Sequence, residues 1–475
     1  MRVSDLINLA SWYLKKGIVV ALFMVLCFFI GYFVVYRKLL KGQKKILWQR
    51  FVWWGIFICY LCVVLGATLF SRENYFGGRI KPLFYSYKDA WFNFSDSAWR
   101  NIILNFCMFI PLGLWLPLGI KGFRRFWKVS LAGFGFSLLI EGIQLFFRRG
   151  IFECDDIMGN TVGTMIGYGL FAIGFFLMNR KERKNHGAVS VALLQMPLIL
   201  TAAAFTIIFW KYDRQELGNN PYQYIEAYDS AKIHVTGKDS YPAEESSLEV
   251  YEADILTVDA AREKGERIFE ALGTAADESR TDVYDETIVM YSKAGGYSLW
   301  INYLGGTLEF ISFDVLYPEN HVMPEPAAGA DEAEIRSALR TVGFEVPEEA
   351  DFKELGSGVY QFDAAMAETD EGTVNGTFTC KYYGAEKGIG EISDHLITCR
   401  PYNTYAAISE QEAYNKIVNG ECIFWIYGDN KDLEIQVASC SLAYALDSKG
   451  YYQPNYQFQC MVNGEEYQIM IPAIK

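Results

Sequence analysis

Long apolar runs separated by short polar segments dominate the first 210 residues of the chain. A helix needs about 20 mostly apolar residues to cross a bilayer. The first run is unlike a signal peptide, because Arg37 and Lys38 end it and no small-residue cleavage site follows. The pattern therefore predicts six transmembrane helices over residues 1–210. They are Ile18–Tyr36, Phe51–Phe70, Ile102–Ile120, Val129–Phe147, Met158–Met178 and Ala188–Trp210.

After residue 210 the pattern becomes polar and mixed. Residues 211–245 are rich in turn-forming residues and are predicted to be a linker. Residues 246–475 alternate amphipathic helical segments with strand-like segments, which predicts an α+β domain, with an internal boundary at 323–330 that would divide it into two modules. The predicted helices are 258–272, 331–342 and 409–418. The predicted strands are 287–291, 297–303, 308–316, 376–383, 433–446 and 456–462.

The charges divide along the same line as the apolar pattern. Residues 1–210 hold 24 Lys and Arg against 9 Asp and Glu, whereas residues 211–475 hold 19 against 47. Such asymmetry between halves indicates two environments. Because the basic residues flank apolar runs and no aromatic stacking motif accompanies them, they suit lipid headgroups, and no nucleic-acid partner is predicted.

Clusters of Lys and Arg predict the orientation of the helices. They follow the first, third and fifth predicted spans, at residues 37–50, 121–128 and 180–184. Short loops rich in Lys and Arg stay in the cytoplasm. Both termini and the acidic C-terminal domain are therefore expected outside the cell membrane.

Hydrophilic side chains within the predicted spans fall on helical stripes. On the fourth span they recur at i, i+4, i+7 and i+11, which places them on one helix face. Polar groups inside a bilayer are costly and tend to mark functional sites. They are Asn105 on the third span, Ser137, Glu141, Gln144 and Arg148 on the fourth, and Asp156 and Asn160 on the fifth. With the orientation above, all of these except Ser137, together with Asp155, lie at the outer ends of their helices.

The glycines of the fifth span recur every four residues, at Gly159, Gly163 and Gly167. Small residues at this spacing let another helix approach closely. On the third span, Pro111 and Pro117 predict a break or kink.

The order and spacing of these residues resemble the VanZ-like family. The resemblance rests on Asn105-x-x-x-Phe109-x-Pro111-x-Gly113, on Glu141-x-x-Gln144, on Arg149 and on Asp155-Asp156-x-x-x-Asn160. It is most specific over 100–170 and extends to about 50–180. It implies a bacterial integral membrane protein, linked through the family's namesake to low-level resistance to teicoplanin, and it implies no established reaction. The minimal family pattern lacks a long C-terminal domain; here the tail faintly resembles extracytoplasmic modules of the PepSY or YycI type.

The leading hypothesis is that the outer polar cluster binds an amphiphile, either a membrane lipid, a lipid-linked cell-wall precursor or a lipoglycopeptide. An enzymatic version makes Glu141 and Asp156 catalytic, with Glu141 as general acid or base. Asp155 and Asp156 could hold a divalent cation through oxygen. No cofactor is identified. The predicted ligand-binding residues are Asn105, Gln144, Arg148, Arg149 and Asn160, of which the arginines suit phosphate.

Structural roles compete with each of these assignments. Glu141 and Gln144 would also serve as a hydrogen-bonded node between two spans, and Asp155 and Asp156 as solvated residues at a helix N-terminus. The arginines would also extend from the helix end to the membrane interface. In a competing functional hypothesis, the protein is a non-enzymatic sensor or scaffold whose acidic domain binds an envelope protein.

Overall fold

The computed structural model describes residues 48–70, 80–148, 150–178, 186–237, 240–284, 286–318, 324–369, 372–424 and 432–475. The chain divides between Gln215 and Glu216 into two compact units. We call them the membrane unit and the C-terminal unit. The first predicted span, Ile18–Tyr36, and the predicted ligand residue Arg149 lie outside the described residues.

The described part of the membrane unit is helical, with one two-stranded pairing. The helices are α1 (Trp48–Leu65), α2 (Tyr85–Asn93), α3 (Asp96–Gly119), α4 (Phe126–Phe146), α5 (Cys154–Met178), α6 (His186–Leu193) and α7 (Met196–Asp213). A π-helical turn, Gly66–Phe70, follows α1. The strands β1 (Ile80–Lys81) and β2 (Phe152–Glu153) pair in parallel.

Four segments of the described residues are long and apolar enough to cross a membrane: Ser97–Gly119, Phe126–Phe146, Cys154–Met178 and Ala188–Asp213. The segment Val52–Thr68 is apolar but shorter. A multi-pass helical membrane unit is thus confirmed, while the predicted total of six spans is not.

Two spans differ in detail from the prediction. Helix α3 continues through Pro111 and Pro117, so the chain is not broken there. The last span is interrupted between Leu193 and Met196, with Pro197 in the first turn of α7. Proline lacks an N–H and fits the first turn of a helix better than its interior, which accounts for a new helix starting at this point.

The glycines of α5 allow direct backbone contact with α3. A Cβ atom added to Gly163 would overlap the carbonyl oxygen of Phe106, and one added to Gly167 would overlap that of Ile110. From the other side, a Cβ added to Gly113 on α3 would overlap the carbonyl oxygen of Thr164. The small-residue ridge predicted from the sequence therefore packs against α3.

The C-terminal unit contains one sheet of 14 strands. The strand path runs β3-β14-β15-β4-β13-β11-β12-β8-β7-β6-β5. Off this path, β16 pairs with β15, β10 pairs with β11, and β9 pairs with β10. The strands are β3 (Ile233–Thr236), β4 (Ser247–Ala253), β5 (Asp282–Tyr284), β6 (Thr287–Tyr291), β7 (Tyr297–Asn302), β8 (Leu308–Ser312), β9 (Asp351–Gly356), β10 (Val359–Thr369), β11 (Gly372–Tyr382), β12 (Ile389–Asp394), β13 (Ile397–Ala406), β14 (Leu433–Leu446), β15 (Tyr451–Val462) and β16 (Glu465–Pro472).

The helices of this unit begin at side-chain caps. They are α8 (Val258–Ala271), α9 (Phe313–Leu316), α10 (Glu332–Thr341) and α11 (Glu410–Val418). Ser409 caps α11 by accepting a hydrogen bond from the N–H of Glu412 (3.1 Å). Asp331 caps α10 in the same way, through the N–H of Glu334 (2.9 Å).

Two predictions about the organisation of this unit need correction. The boundary predicted at 323–330 does not separate two cores, because Phe310 before it and Tyr360 after it belong to one hydrophobic cluster. A second cluster joins Ile233 to residues 407–473. The predicted linker 211–245 also contains regular structure: α7 runs to Asp213, and β3 pairs in parallel with β14. Strand β3 is only four residues long, so its periodicity was too brief to identify it.

Candidate functional site at one end of the membrane helices

Hydrogen bonds join α3, α4 and α5 near the start of α5. The amide of Asn105 on α3 donates to the carboxylate of Asp156 on α5, with Nδ2 and Oδ1 2.6 Å apart. The amide of Asn160, one turn along α5, donates to Ser137 Oγ on α4 at 2.9 Å. These bonds bring together the polar residues that the sequence analysis assigned to three different spans. We call this region the polar end of the membrane unit.

Two polar residues of α4, Glu141 and Gln144, are almost fully buried. Glu141 is 2% exposed, and its Oε2 accepts a hydrogen bond from the backbone N–H of Glu153 at 3.0 Å. Gln144 is 1% exposed, and its Nε2 donates to the carbonyl oxygen of Thr68 at 2.8 Å. Removing a carboxylate from water is costly unless it is paired and hydrogen-bonded. These contacts tie α4 to β2 and to the turn after α1.

The segment Ile80–Asn93 is fastened to the start of α5. The backbone N–H groups of Phe84 and Ser86 donate to the two carboxylate oxygens of Asp155, at 2.5 and 2.8 Å. Ser86 Oγ and Lys81 Nζ also donate to the carboxylate of Glu153, at 3.1 and 3.2 Å. Together with the β1–β2 pairing, these bonds hold α2 beside the polar end.

Three residues around this end have positive φ angles, although none is glycine. They are Phe84 (68°) and Phe94 (42°), on either side of α2, and Arg148 (54°), just after α4. A bulky residue in the left-handed region costs of order 1–3 kcal/mol and persists only where surrounding contacts enforce it. At Phe84 the bond to Asp155 is such a contact.

The electrostatics of α2 reflect the nearby carboxylates. Burial raises the pKa of Tyr87, and the charges of Asp155 and Asp156 raise it further. Burial also raises the pKa of Asp89, against the opposing effect of the Lys81 charge. Tyr87 therefore stays neutral beside the two acids at physiological pH.

Two amide oxygens in the polar end have no hydrogen-bond donor among the residues that the structure describes. They are Oε1 of Gln144 and Oδ1 of Asn160, on side chains 1% and 3% exposed. Leaving a buried acceptor unsatisfied costs about 1–3 kcal/mol. Both oxygens can still accept a hydrogen bond.

The opposite end of the same helices is basic. Tyr168, near the middle of α5, donates its hydroxyl to the carbonyl oxygen of Arg124 at 2.9 Å. The guanidinium of Arg124 lies over the ring of Phe175, 5.1 Å from its centroid. The two ends of the α3–α4–α5 group therefore differ in charge as well as in composition.

The structure separates the predicted site residues by their surroundings. Asn105, Glu141, Gln144, Asp156 and Asn160 lie in the polar end, whereas Arg148 is exposed after the end of α4. The catalytic, ligand-binding and metal-binding roles remain predictions.

Asp155 is buried and both of its oxygens accept from the backbone N–H groups of Phe84 and Ser86, so it is a structural residue but not the solvated one that the alternative above described. Within the described ranges, no group of three His, Cys, Asp or Glu side chains is arranged to hold a metal ion. For a cation at Asp155 and Asp156, the other ligands would have to be amides, carbonyl groups or ligand oxygens.

Sequence reasoning missed the contributions of the segment before α3 and of β2. Lys81, Ser86, Tyr87 and Glu153 all contact or face the polar end, but they lie outside the apolar runs. Glu153 could have been found, because it lies only two residues before Asp155. Nothing in the local pattern indicated Ser86.

The architecture defines a class of protein: a multi-pass membrane protein whose helical unit continues into a separate α+β domain. Residues 57–177 match the family VanZ/LLP1, so the membrane unit contains a domain of that family. This confirms the resemblance identified from the motifs, and the match ends before the C-terminal unit.

Protein VanZ of Enterococcus faecium is 29% identical to this chain over 152 residues, which cover 31% of this chain and 89% of that protein. Two solved structures resemble this chain with low TM-scores. An uncharacterized protein from Eubacterium rectale is 11% identical, covering 50% of this chain and 87% of that one, with a TM-score of 0.23. The C-terminal domain of Bacillus megaterium YpeB is 13% identical, covering 46% and 94%, with a TM-score of 0.22. The PepSY or YycI likeness of the tail remains a prediction.

Replacing Asp155 with alanine is expected to release residues 80–93, which include α2, while helices α3, α4 and α5 stay folded. The change removes the acceptor of two backbone N–H groups, and bonds to a charged acceptor contribute about 1.5–3 kcal/mol each. Hydrogen exchange measured by mass spectrometry on peptides covering residues 80–93 should become about tenfold faster or more. The matched control is Asp89→Asn, because Asp89 accepts from Asn93 within α2 (2.8 Å). Equal exchange in the two variants would contradict the assignment.

Proposed function

We propose that the membrane unit binds the headgroup of an amphiphile at its polar end. The ligand classes that fit are a membrane lipid, a lipid-linked cell-wall precursor and a lipoglycopeptide. The observation that supports this most directly is the burial of Glu141, at 2% exposure, on the helix α4 whose Ser137 accepts a hydrogen bond from the amide of Asn160 on α5. Ionisable groups held within a membrane span are costly and tend to serve a function.

The chemistry of the site favours a ligand rich in hydrogen-bond donors. The carboxylates of Glu141 and Asp156 and the unsatisfied oxygens of Gln144 and Asn160 are all acceptors. Hydroxyl and amine groups would satisfy them, as in sugar-bearing, glycerol-bearing or amine-bearing headgroups. The exposed Arg148 would meet a phosphate at the rim.

We further propose that the polar end faces the outer leaflet. The supporting pattern is the basic cluster at residues 121–128, which lies at the opposite end of α3 and is expected in the cytoplasm. Counting Ile18–Tyr36 and Phe51–Phe70 as spans gives six crossings and places both termini and the C-terminal unit outside.

The test is lipid retention by the purified full-length chain in a mild detergent, measured by mass spectrometry of the bound lipids. Wild type is expected to retain a defined lipid class. The amount of this lipid bound to Glu141→Gln and to Asn105→Ala is expected to be lower by about tenfold or more, since each change removes a polar group of the polar end. The matched control is Gln195→Leu, which alters an amide that bonds the carbonyl oxygen of Gly169 (3.0 Å), further along α5. Retention that is identical in all four proteins would refute the proposal.

A cellular readout distinguishes the alternatives. Teicoplanin susceptibility of a host expressing each variant would respond to Glu141→Gln if the polar end carries the function. A phenotype that survives Glu141→Gln and disappears when residues 216–475 are deleted would instead support the sensor or scaffold hypothesis. A catalytic role for Glu141 and Asp156 would require that a Glu141→Gln protein still retains lipid but no longer converts it.

A further inference from the structure

Near one edge of the sheet in the C-terminal unit, one face of the sheet carries an open cleft with aromatic walls. It has a volume of about 240 Å³ and is lined by Arg280, Asp282, Tyr284, Val289, Tyr291 and Trp300. Tyr284 is 57% exposed and Trp300 is 43% exposed. Large aromatic side chains that share an exposed surface are informative, because exposed apolar patches tend to mark binding sites.

The register of three strands builds this cleft. Asp282 on β5 pairs with Val289 on β6, which pairs in turn with Trp300 on β7. Directly opposed residues point to the same face of a sheet, with Cβ atoms about 4.5–5.5 Å apart. Val289 is 3% exposed and forms the floor, while the aromatic rings stand around it.

One positive and one negative group lie at the rim. The guanidinium of Arg280 stacks over the ring of Tyr291, 4.2 Å from its centroid, and this contact orients its remaining N–H groups. Asp282 is exposed at the β5 edge and supplies carboxylate oxygens. The cleft therefore offers donors, acceptors and aromatic faces with no net charge of its own.

The same row of residues continues beyond the cleft as a polar track. Trp300 pairs with Glu309 on β8, and Glu309 pairs with Ser393 on β12. Glu309 accepts from Ser393 Oγ at 2.6 Å and lies 2.8 Å from Nε2 of His395, so all three share this face. Four strand spacings separate β5 from β12, which is about 19 Å.

We propose that this face binds a neutral saccharide chain, with one sugar ring stacked on Trp300 inside the cleft. The C–H face of a pyranose packs on an indole ring, while its hydroxyl groups accept from Arg280 and donate to Asp282. The track across β8 and β12 is long enough for further rings of the chain.

Charge and position favour this ligand over others. Arg280 would repel a cation and Asp282 an anion, whereas a neutral polyhydroxylated ligand uses both. An extended peptide would instead pair with the backbone of β5, but β5 has three residues, and the cleft lies on the sheet face rather than along its edge. In the cell the saccharide would be an envelope glycan if the C-terminal unit lies outside, and binding itself does not depend on the polar end of the membrane unit.

The test uses the purified full-length chain in detergent, with chitotetraose, cellotetraose and maltotetraose as soluble probes in calorimetry and purified cell-wall sacculi in a sedimentation assay. Wild type is expected to bind at least one of these. Trp300→Ala should weaken that binding about tenfold or more, and Trp300→Phe, which keeps an aromatic face, should retain most of it.

The matched control is Tyr317→Ala, which removes an aromatic ring 64% exposed in the same unit and outside the cleft. Thermal melting of each variant establishes that it is folded. Wild-type protein that binds none of the four probes would overturn the proposal. Binding that Trp300→Ala leaves unchanged would overturn it too.

Discussion

Replacing Gly167 with alanine should destabilise the membrane unit strongly, whereas the same change at Gly174 in the same helix should have almost no effect. At Gly167 the new methyl group would overlap the carbonyl oxygen of Ile110, which is backbone and cannot rotate away. At Gly174 no described heavy atom lies within 4 Å of the position that the methyl group would occupy. The two variants gain the same atoms in the same helix, so they differ only in the approach of α3.

The size of the effect follows from what must move. Overpacking usually costs about 1–3 kcal/mol, because neighbouring side chains adjust. Here the neighbour is the α3 backbone, so the helix as a whole must shift, and we expect a cost of about 3 kcal/mol or more. The measurement is the thermal midpoint of the full-length protein in detergent, followed by size-exclusion chromatography of heated samples.

A double variant tests the mechanism more closely. Gly163 meets the carbonyl oxygen of Phe106, one helical turn from the contact at Gly167. Once α3 has moved away for one methyl group, the second is accommodated at little further cost. Gly163→Ala with Gly167→Ala should therefore be less destabilising than the two single effects added together. Strict additivity, or equal midpoints for Gly167→Ala and Gly174→Ala, would contradict the packing described here.

The glycine ridge shows how much of the membrane unit the sequence predicts. Four-residue spacing of small residues on an apolar helix predicts a packed face, but it does not say which helix packs there. The same holds for the polar stripes. Glu141 and Gln144 share a helix face by periodicity alone, while their partners, the Glu153 N–H and the Thr68 carbonyl oxygen, are backbone groups that any sequence could supply.

The site residues outside the spans were harder to predict for a related reason. Asp155 was weighed as a cation ligand, yet both of its oxygens accept from Phe84 and Ser86, some 70 residues away in the chain. The segment around Phe84 and Ser86 carries no periodic sequence signal. Only the tertiary structure therefore reveals that it contacts the start of α5. The family resemblance singled out these residues, but it supplied no partners for them.

In the C-terminal unit, strand length did not decide which strands were predicted. The predictions for 287–291 and 433–446 match β6 and β14 in their bounds, whereas the long strands β10 (Val359–Thr369) and β13 (Ile397–Ala406) were missed. The Pro-rich stretch near 323–330 indicated a boundary, because such composition is common in linkers. Sheet pairing overrides it: the chain on both sides contributes to one core.

Replacing Asp447 with alanine is the change from which we expect the largest effect in the C-terminal unit. Asp447 is 2% exposed and its carboxylate accepts four hydrogen bonds. The donors are the N–H groups of Gly218 (2.7 Å), Lys449 (2.7 Å) and Tyr451 (2.9 Å) and the side-chain amide of Gln453 (2.7 Å). Alanine would leave all four donors buried without this acceptor, at a cost of about 3–5 kcal/mol.

The effect should be greatest around Gly218, because this donor lies 229 residues away from Asp447 in the chain and is held to it by a hydrogen bond. Gly218 is near the start of the C-terminal unit, and its neighbour Asn219 donates its N–H to Ser448 Oγ at 2.8 Å. Loss of Asp447 should therefore free residues 216–222 and speed hydrogen exchange there before the rest of the sheet opens. The destabilisation by Asp447→Asn should be intermediate. Its amide oxygen can still accept from the donors on one side, whereas its NH₂ group cannot accept from the donors on the other side.

The matched control is Asp254→Ala, because Asp254 is an exposed carboxylate of the same unit, 3.5 Å from Arg400. Surface pairs of this kind contribute about 0–1 kcal/mol. A thermal midpoint for Asp447→Ala close to that of Asp254→Ala, with unchanged exchange at residues 216–222, would show that the segment is held by other contacts. The reverse result would make Asp447 the group that fixes the beginning of the C-terminal unit to its β14–β15 hairpin.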